Sequence, residues 1–202
     1  MIIYWVIWFY LCLCNIFYSY NVWGRIVLII TFLFLFLFIG FRYNVGVDWY
    51  NYLFFYELTK YTDLKSVFLG SDPAYNILNY IGHIFGYQDT FFVNAICSFL
   101  VLFFLIKTAL KLENYWLVLL IYFPYHLLVV SMNYSRQAVA ISISLWAFCK
   151  LLESRFIQFS FLIILATLFH KTAITLLLFL PIFLSANFHQ YKIINIFYIG
   201  IS

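Results

Sequence analysis

The chain has 202 residues, 67% hydrophobic, 25% aromatic and only 9% charged, with a formal net charge of +4 and a mean hydropathy of +1.02. Soluble domains carry about a quarter charged residues, so a soluble fold is excluded and the chain reads as an integral membrane protein. Its cations are too scattered to build the one-faced basic surface that nucleic acid requires, which sets aside a nucleic-acid partner.

A helical span takes roughly 20 apolar residues. The apolar runs predict an all-α, polytopic bundle forming one transmembrane domain over residues 1–202, embedded in the lipid bilayer. Spans are expected near 2–18, 26–41, 91–106, 115–132, 137–152, 156–169 and 173–184, with a partial span at 193–202 and a long loop at 42–90. The partial run covers about half of a ~30 Å hydrocarbon core, so the expectation is a chain truncated at its C-terminus. Neither a basic segment nor a small-residue cleavage site accompanies the first run, which reads as a retained span. Cys12, Cys14, Cys97 and Cys149 all fall in apolar runs, and Cys12 and Cys14, two apart, do not share a helix face. They read as free thiols acting as small hydrophobes, and neither a metal nor another cofactor is expected.

Loop charges set the orientation. With the N-terminus outside, the inner loops hold Arg25, Lys107, Lys111, Lys150, Arg155 and Lys192 against Glu113 and Glu153. The outer side then holds Arg42, Lys60, Lys65, Arg136 and Lys171 against Asp48, Glu57, Asp63, Asp72 and Asp89. Three of those outer cations lie in the long loop, which weighs little in the positive-inside rule, so the N-terminus is expected outside.

Within the long loop, Tyr52, Phe55 and Tyr56 fall close together on a helix, as in an interfacial segment. Asp72-Pro73 reads as a cap and first helical position of a helix that ends near Phe85, stopped by Gly86. Ile77, Leu78, Ile81 and Ile84 give that helix an apolar face, expected to lie along the membrane surface. Glu57, Asp63, Asp72 and Asp89 read as solvated charges, with Glu57 a reserve base, and His83 reads as structural.

Arg42 and Asp48 close off the run 26–41. A lone Arg at the end of a span commonly snorkels to the headgroups. Here Gly40 and Gly46 bracket it, permitting tight turns or close backbone approach, and Asp48 either pairs with it or supplies a base. Farther on, Asn133, Arg136, Gln137 and Ala140 fall at helical spacings of three and four, placing amide and guanidinium donors on one face. Guanidinium grips phosphate in a planar, bidentate way. The small residues Ser135, Ala138 and Ser142 read as packing positions. His126 follows Pro124, which loosens the fourth span and opens a pocket that His126 would line.

His170-Lys171 interrupts the apolar stretch 156–184. One reading is a hairpin with arms of about 14 and 13 residues, roughly 21 and 20 Å, whose tip sits below the membrane surface. The other is a single tilted span with the pair buried in it. Ionisable groups at such depth default to function, and a neutral imidazole there can accept a proton.

Four motifs occur in order between spans: Arg42-Tyr-Asn-Val-Gly-Val-Asp48-Trp-Tyr-Asn-Tyr52, Asp72-Pro-Ala-Tyr75, Met132-Asn-Tyr-Ser-Arg136-Gln137 with Ala140, and Phe169-His170-Lys-Thr-Ala173. Over about residues 26–184 the chain resembles the EpsG/Wzy-type family of bacterial surface-polysaccharide (O-antigen, capsule, exopolysaccharide) polymerases. Each motif fixes few positions, but four in order are much more specific. Members are usually longer, with further spans downstream.

The resemblance implies a glycosyltransferase at the outer face of the bacterial cytoplasmic (inner) membrane. It would take an undecaprenyl-diphosphate-linked glycan as donor and a lipid-linked repeat unit as acceptor, with a chain-length regulator and a flippase as further partners. In those terms His170, or Asp48 in its place, takes the acceptor's proton. Arg42 and Arg136 neutralise the departing diphosphate, and Asn133, Gln137 and Lys171 orient sugar or phosphate oxygens, with no metal required. Two rival readings are a transporter or flippase of lipid-linked sugar, which should show related halves with broken helices, and a non-catalytic scaffold of a polysaccharide assembly complex.

Overall fold

The computed structural model describes residues 2–17, 22–87 and 89–185; the run at 193–202 lies outside them. Among the described residues the regular secondary structure is helical, with no strand. Two helices, α1 (Ile2–Phe17) and α2 (Val22–Gly40), lead into a long connection with α3 (Trp49–Thr59), α4 (Leu64–Leu69) and α5 (Pro73–Ile84). Then follow α6 (Phe91–Ala109), α7 (Tyr115–Asn133), α8 (Ser135–Leu152), α9 (Phe156–Phe169), a 3₁₀ stretch (Lys171–Leu178) and α10 (Phe179–Ser185).

Trp23–Gly40, α6 and α7 are long and apolar enough to cross a membrane, at 18, 19 and 19 residues, or roughly 27–29 Å. Their outward faces expose Ile29, Leu33, Leu37, Phe99 and Ile121, an apolar belt suited to lipid. At the centre, α8 packs chiefly against α6 and α9. It can lie close to both because Ala138, Ala140, Ser142, Ser144 and Ala147 form its buried surface, and small side chains let helix backbones approach.

Proline shapes α7. From Phe123 to Val130 the helix widens into a π-helical stretch, because Pro124 lacks an N–H and its ring displaces the carbonyl four residues back. A cavity of about 400 Å³ opens beside it, lined by Tyr4, Trp5, Trp8, Phe123, Pro124 and Leu128. The expected link between that opening and His126 does not form. His126 points instead into the protein, 4% exposed, with its Nε2 2.8 Å from Ser142 Oγ of α8. A buried imidazole needs a hydrogen-bond partner, and α8 supplies one that the apolar cleft cannot.

The chain reverses at His170. Phe148 of α8 touches both Phe159, at 5.8 Å between ring centroids, and Phe179, at 5.3 Å. On one continuous helix those two partners would stand about 30 Å apart, so 156–185 is a hairpin and the single tilted span is excluded. Leu176, Leu177, Leu180 and Phe183 return along Phe159 and Ile163 to close a second apolar core.

The long connection folds onto the bundle differently from expectation. α3 buries Trp49, Tyr52 and Tyr56 against protein while Phe55 stays 45% exposed, so Tyr52 and Tyr56 are not interfacial anchors. Their partners are on α5, where Tyr75 lies 5.6 Å from Tyr52 and His83 lies 4.0 Å from Tyr56. α5 starts at Pro73 and stops before Gly86 as read, yet it buries Tyr75, Asn79 and Gly82 rather than its isoleucine face, and Ile84 is exposed. Ring-on-ring packing with α3 decides which side turns inward.

Candidate functional site

The loop from Phe41 to Asp48 is shaped by Asn44 (φ +51°) and Gly46 (φ +111°). A Cβ at Gly46 would collide with the carbonyl oxygen of Met132, so only glycine lets the loop lie on the end of α7. The Val47 N–H donates to Asn133 Oδ1 at 2.7 Å, and Asn133 Nδ2 donates to the Val129 carbonyl at 2.6 Å. Both ends of the Asn133 amide are therefore occupied. The helix also breaks at Tyr134 (φ −128°, ψ 63°), which removes Asn133 from the face expected to join it to Arg136, Gln137 and Ala140.

Arg42 turns inward and is 7% exposed. Its Nη1 donates to the Ile39 carbonyl at 3.1 Å, and its Nη2 to Asn94 Oδ1 at 3.3 Å and Ser135 Oγ at 2.7 Å. One guanidinium thus joins the ends of α2, α6 and α8. Its Nε has no partner among the described residues, and burial pulls its pKa below the usual guanidinium value. Of the two readings of Asp48, the pairing with Arg42 does not form. The positive-φ turn carries Asp48 to the head of α3, where its carboxylate accepts from Asn51 Nδ2 at 3.1 Å. Ser135, read as a packing residue, is the closest partner of Arg42.

Arg136 makes the site's ion pair, Nη1 to Asp72 Oδ2 at 2.7 Å. Its guanidinium also lies 5.6, 5.8 and 5.6 Å from the ring centroids of Tyr52, Phe55 and Tyr75, an aromatic surround that favours a cation. Asp72, read as a solvated charge, is in fact buried at 4% exposure. It makes no side-chain cap bond to α5; its Oδ1 instead accepts from the Lys171 backbone N–H at 3.3 Å. A single carboxylate thereby binds the start of α5 to the start of α8 and to the hairpin tip. The Asp-Pro helix-start rule accounts for an aspartate there without any distant partner, and contacts 64 and 99 residues away leave no local signal. Tyr75 was missed for the same reason. It is buried among these groups with its hydroxyl unpartnered, and burial raises its pKa well above the ordinary phenol value, so the hydroxyl stays a donor.

Two cavities lie near this ion pair. One, about 250 Å³, is lined by Phe55, Thr59, Thr62, Ser71, Asn76 and Arg136 among others. The second, a groove of about 370 Å³ between α8 and the hairpin, is lined by residues including Gln137, Ala140, Ser144, Phe148, His170 and Leu176. Ser71 and Arg136 line the first, and Gln137, the chain neighbour of Arg136, lines the second. His170 is half-buried in the groove wall, and no hydrogen bond to its ring occurs among the described residues. The Lys171 side chain and Gln137 are exposed beside it. The structure thus gathers Arg136, Gln137, His170 and Lys171 around Asp72, with Arg42 behind them through Ser135. Asp48, Asn133 and His126 line neither cavity. Among the described residues no three His, Cys, Asp or Glu side chains converge as metal ligands.

An all-helical membrane bundle with a polar site at one end of its central helix is the class this geometry defines. The EpsG family matches residues 25–202, and the chain belongs to it; membership carries a polysaccharide-polymerase type of role in general. No curated protein and no solved structure matches the chain.

Proposed function

We propose that this protein is a glycosyltransferase that polymerises undecaprenyl-diphosphate-linked repeat units into a surface polysaccharide, at the outer face of the cytoplasmic membrane. The observation that carries the reading is two cavities beside the Arg136–Asp72 pair, one lined by Arg136 and the other by Gln137 and His170. A polymerase must hold donor and acceptor together, with a cation where charge develops. In the reaction, an acceptor hydroxyl attacks the anomeric carbon of the donor glycan and the bond from that carbon to the diphosphate oxygen breaks. His170 takes the hydroxyl proton, and undecaprenyl diphosphate leaves with its growing charge met by Arg136. Arg42, too enclosed to reach a substrate directly, adds positive potential from behind. Gln137 and Lys171 orient oxygens, and no step requires a metal.

Arg136→Ala or His170→Ala, as the only copy in cells, should leave single lipid-linked repeats with no polymer ladder on glycan gels. A normal ladder would sink the reading, and repeats trapped inside the cell would favour a flippase. Topology has its own check. Asp72 and Lys171 are in contact, so cysteines placed at Ser71 and Thr172, in a background lacking the four native cysteines, should both react with an impermeant reagent from outside. Labelling that needs permeabilised cells would reverse the orientation.

A further inference from the structure

We propose that the end of the bundle opposite the candidate site binds an anionic phospholipid through Lys107, Lys111 and Trp146. α6 and α8 start beside Arg42, at Asn94 and Ser135, and end some four to five turns later in a cluster of cations. Lys107 Nζ sits 4.9 Å from the ring centroids of both Phe103 and Trp146, and Lys150 Nζ is 4.2 Å from that of Trp146. Glu153 is shared by three cations: its Oε1 is 2.8 Å from Lys111 Nζ, and its Oε2 is 2.8 Å from Lys150 Nζ and 3.4 Å from Arg155 Nε.

The charges do not balance. Lys107, Lys111, Lys150 and Arg155 bring four positive charges and Glu153 one negative, leaving +3; counting exposed Glu113 nearby leaves +2. Glu153 is already fully ionised at neutral pH, because Lys111 and Lys150 overcome its partial burial and hold its pKa to about 2, so it offers no further compensation. Lys107 has no carboxylate partner among the described residues. Lys107 and Lys150 share one indole, yet only Lys150 also contacts a carboxylate among the described residues, so a further anion beside Lys107 would relieve their repulsion.

The chemistry of that anion follows from what adjoins it. Phe99, Phe103 and Lys107 recur every four residues along α6, and Lys111 follows in the turn just past its end. Phe99 and Phe103 stack at 5.9 Å and are 44% and 39% exposed. A phosphodiester headgroup on the two lysines would lay its acyl chain along those rings, combining charge attraction with apolar burial. Free phosphate would use the lysines alone, and a zwitterionic headgroup would gain little from a net positive cluster.

The test uses the purified full chain in detergent, titrated with short-chain phosphatidylglycerol, with phosphatidylcholine of the same chains, and with glycerol phosphate, reading the thermal unfolding midpoint. Phosphatidylglycerol should raise the midpoint, and the other two should not. Each of Lys107→Gln and Lys111→Gln should weaken the response about fivefold, while K107R and K111R retain it. An equal response to phosphatidylcholine, or an unchanged one in the K107Q/K111Q double variant, overturns the proposal; a full response to glycerol phosphate makes this an anion site and not a lipid site. Should the glutamine variants fail to fold, spin-labelled phosphatidylglycerol bound to the unaltered protein must be displaced by unlabelled phosphatidylglycerol and not by phosphatidylcholine. Equal displacement by both refutes it.

Discussion

Replacing Asp72 with alanine is expected to lower polymer formation about a hundredfold while the protein still folds. Breaking a largely buried ion pair by removing one partner costs on the order of 3–5 kcal/mol, and the partial exposure of Arg136 brings the figure towards ~2–3 kcal/mol. That cost falls on the fold; polymer is lost because Arg136 is no longer held in place, and a misplacement of about 1 Å at a site costs on the order of a hundredfold in rate. Three variants separate the two bonds of this carboxylate. Asp72→Asn keeps an oxygen for the Lys171 N–H and loses the charge, so its defect should fall between wild type and alanine. Asp72→Glu restores charge at the wrong reach and should recover only part of the activity. In a double-mutant cycle, Asp72→Asn added to Arg136→Gln should cost little more than Arg136→Gln alone. Fully additive losses in polymer yield would show that Asp72 does not act through Arg136, and a thermal midpoint measured on each variant separates loss of fold from loss of activity.

Arg42→Met should abolish polymer yet lower stability by only ~2 kcal/mol, read as polymer yield and as unfolding midpoint. The three hydrogen bonds from the guanidinium are worth roughly 1.5–3 kcal/mol each as charge-assisted contacts. Against them stands the penalty of enclosing a cation whose described partners are neutral, which methionine removes. The net effect on stability is therefore modest, whereas the positive potential behind the site is lost outright. Arg42→Lys tests the geometry, because a single ammonium cannot reach the Ile39 carbonyl, Asn94 and Ser135 as a planar fork does. It should fold and retain little activity. Normal polymer from Arg42→Met would make Arg42 a strut between three helices and nothing more.

Individual residues show where reading the chain succeeded. The Asp72-Pro73 start and Gly86 stop of α5 were visible because proline and glycine act through their own backbone geometry, whatever surrounds them. Gly46 was visible as a place of close approach, though not that its neighbour is the Met132 carbonyl. The hairpin at His170 was one of two readings, and only the contacts of Phe148 with both arms selected it. Asn133 was misjudged because a helical spacing of three to Arg136 assumes a helix, and Tyr134 breaks it. The inward turn of His126 left no local signal because its partner, Ser142, lies on another helix.

Composition alone determined that this is a membrane protein built of helices: with few charges and long apolar runs, only structures that satisfy their own backbone hydrogen bonds survive in lipid. Local backbone chemistry determined most starts and stops. Which polar groups meet was decided by tertiary structure. In a bundle buried in an apolar medium most buried polar side chains find a partner, and that partner is chosen by helix packing across tens of residues. Asp72 therefore left Pro73's helix uncapped to join Arg136 and Lys171, and Arg42 left Asp48 for Asn94 and Ser135.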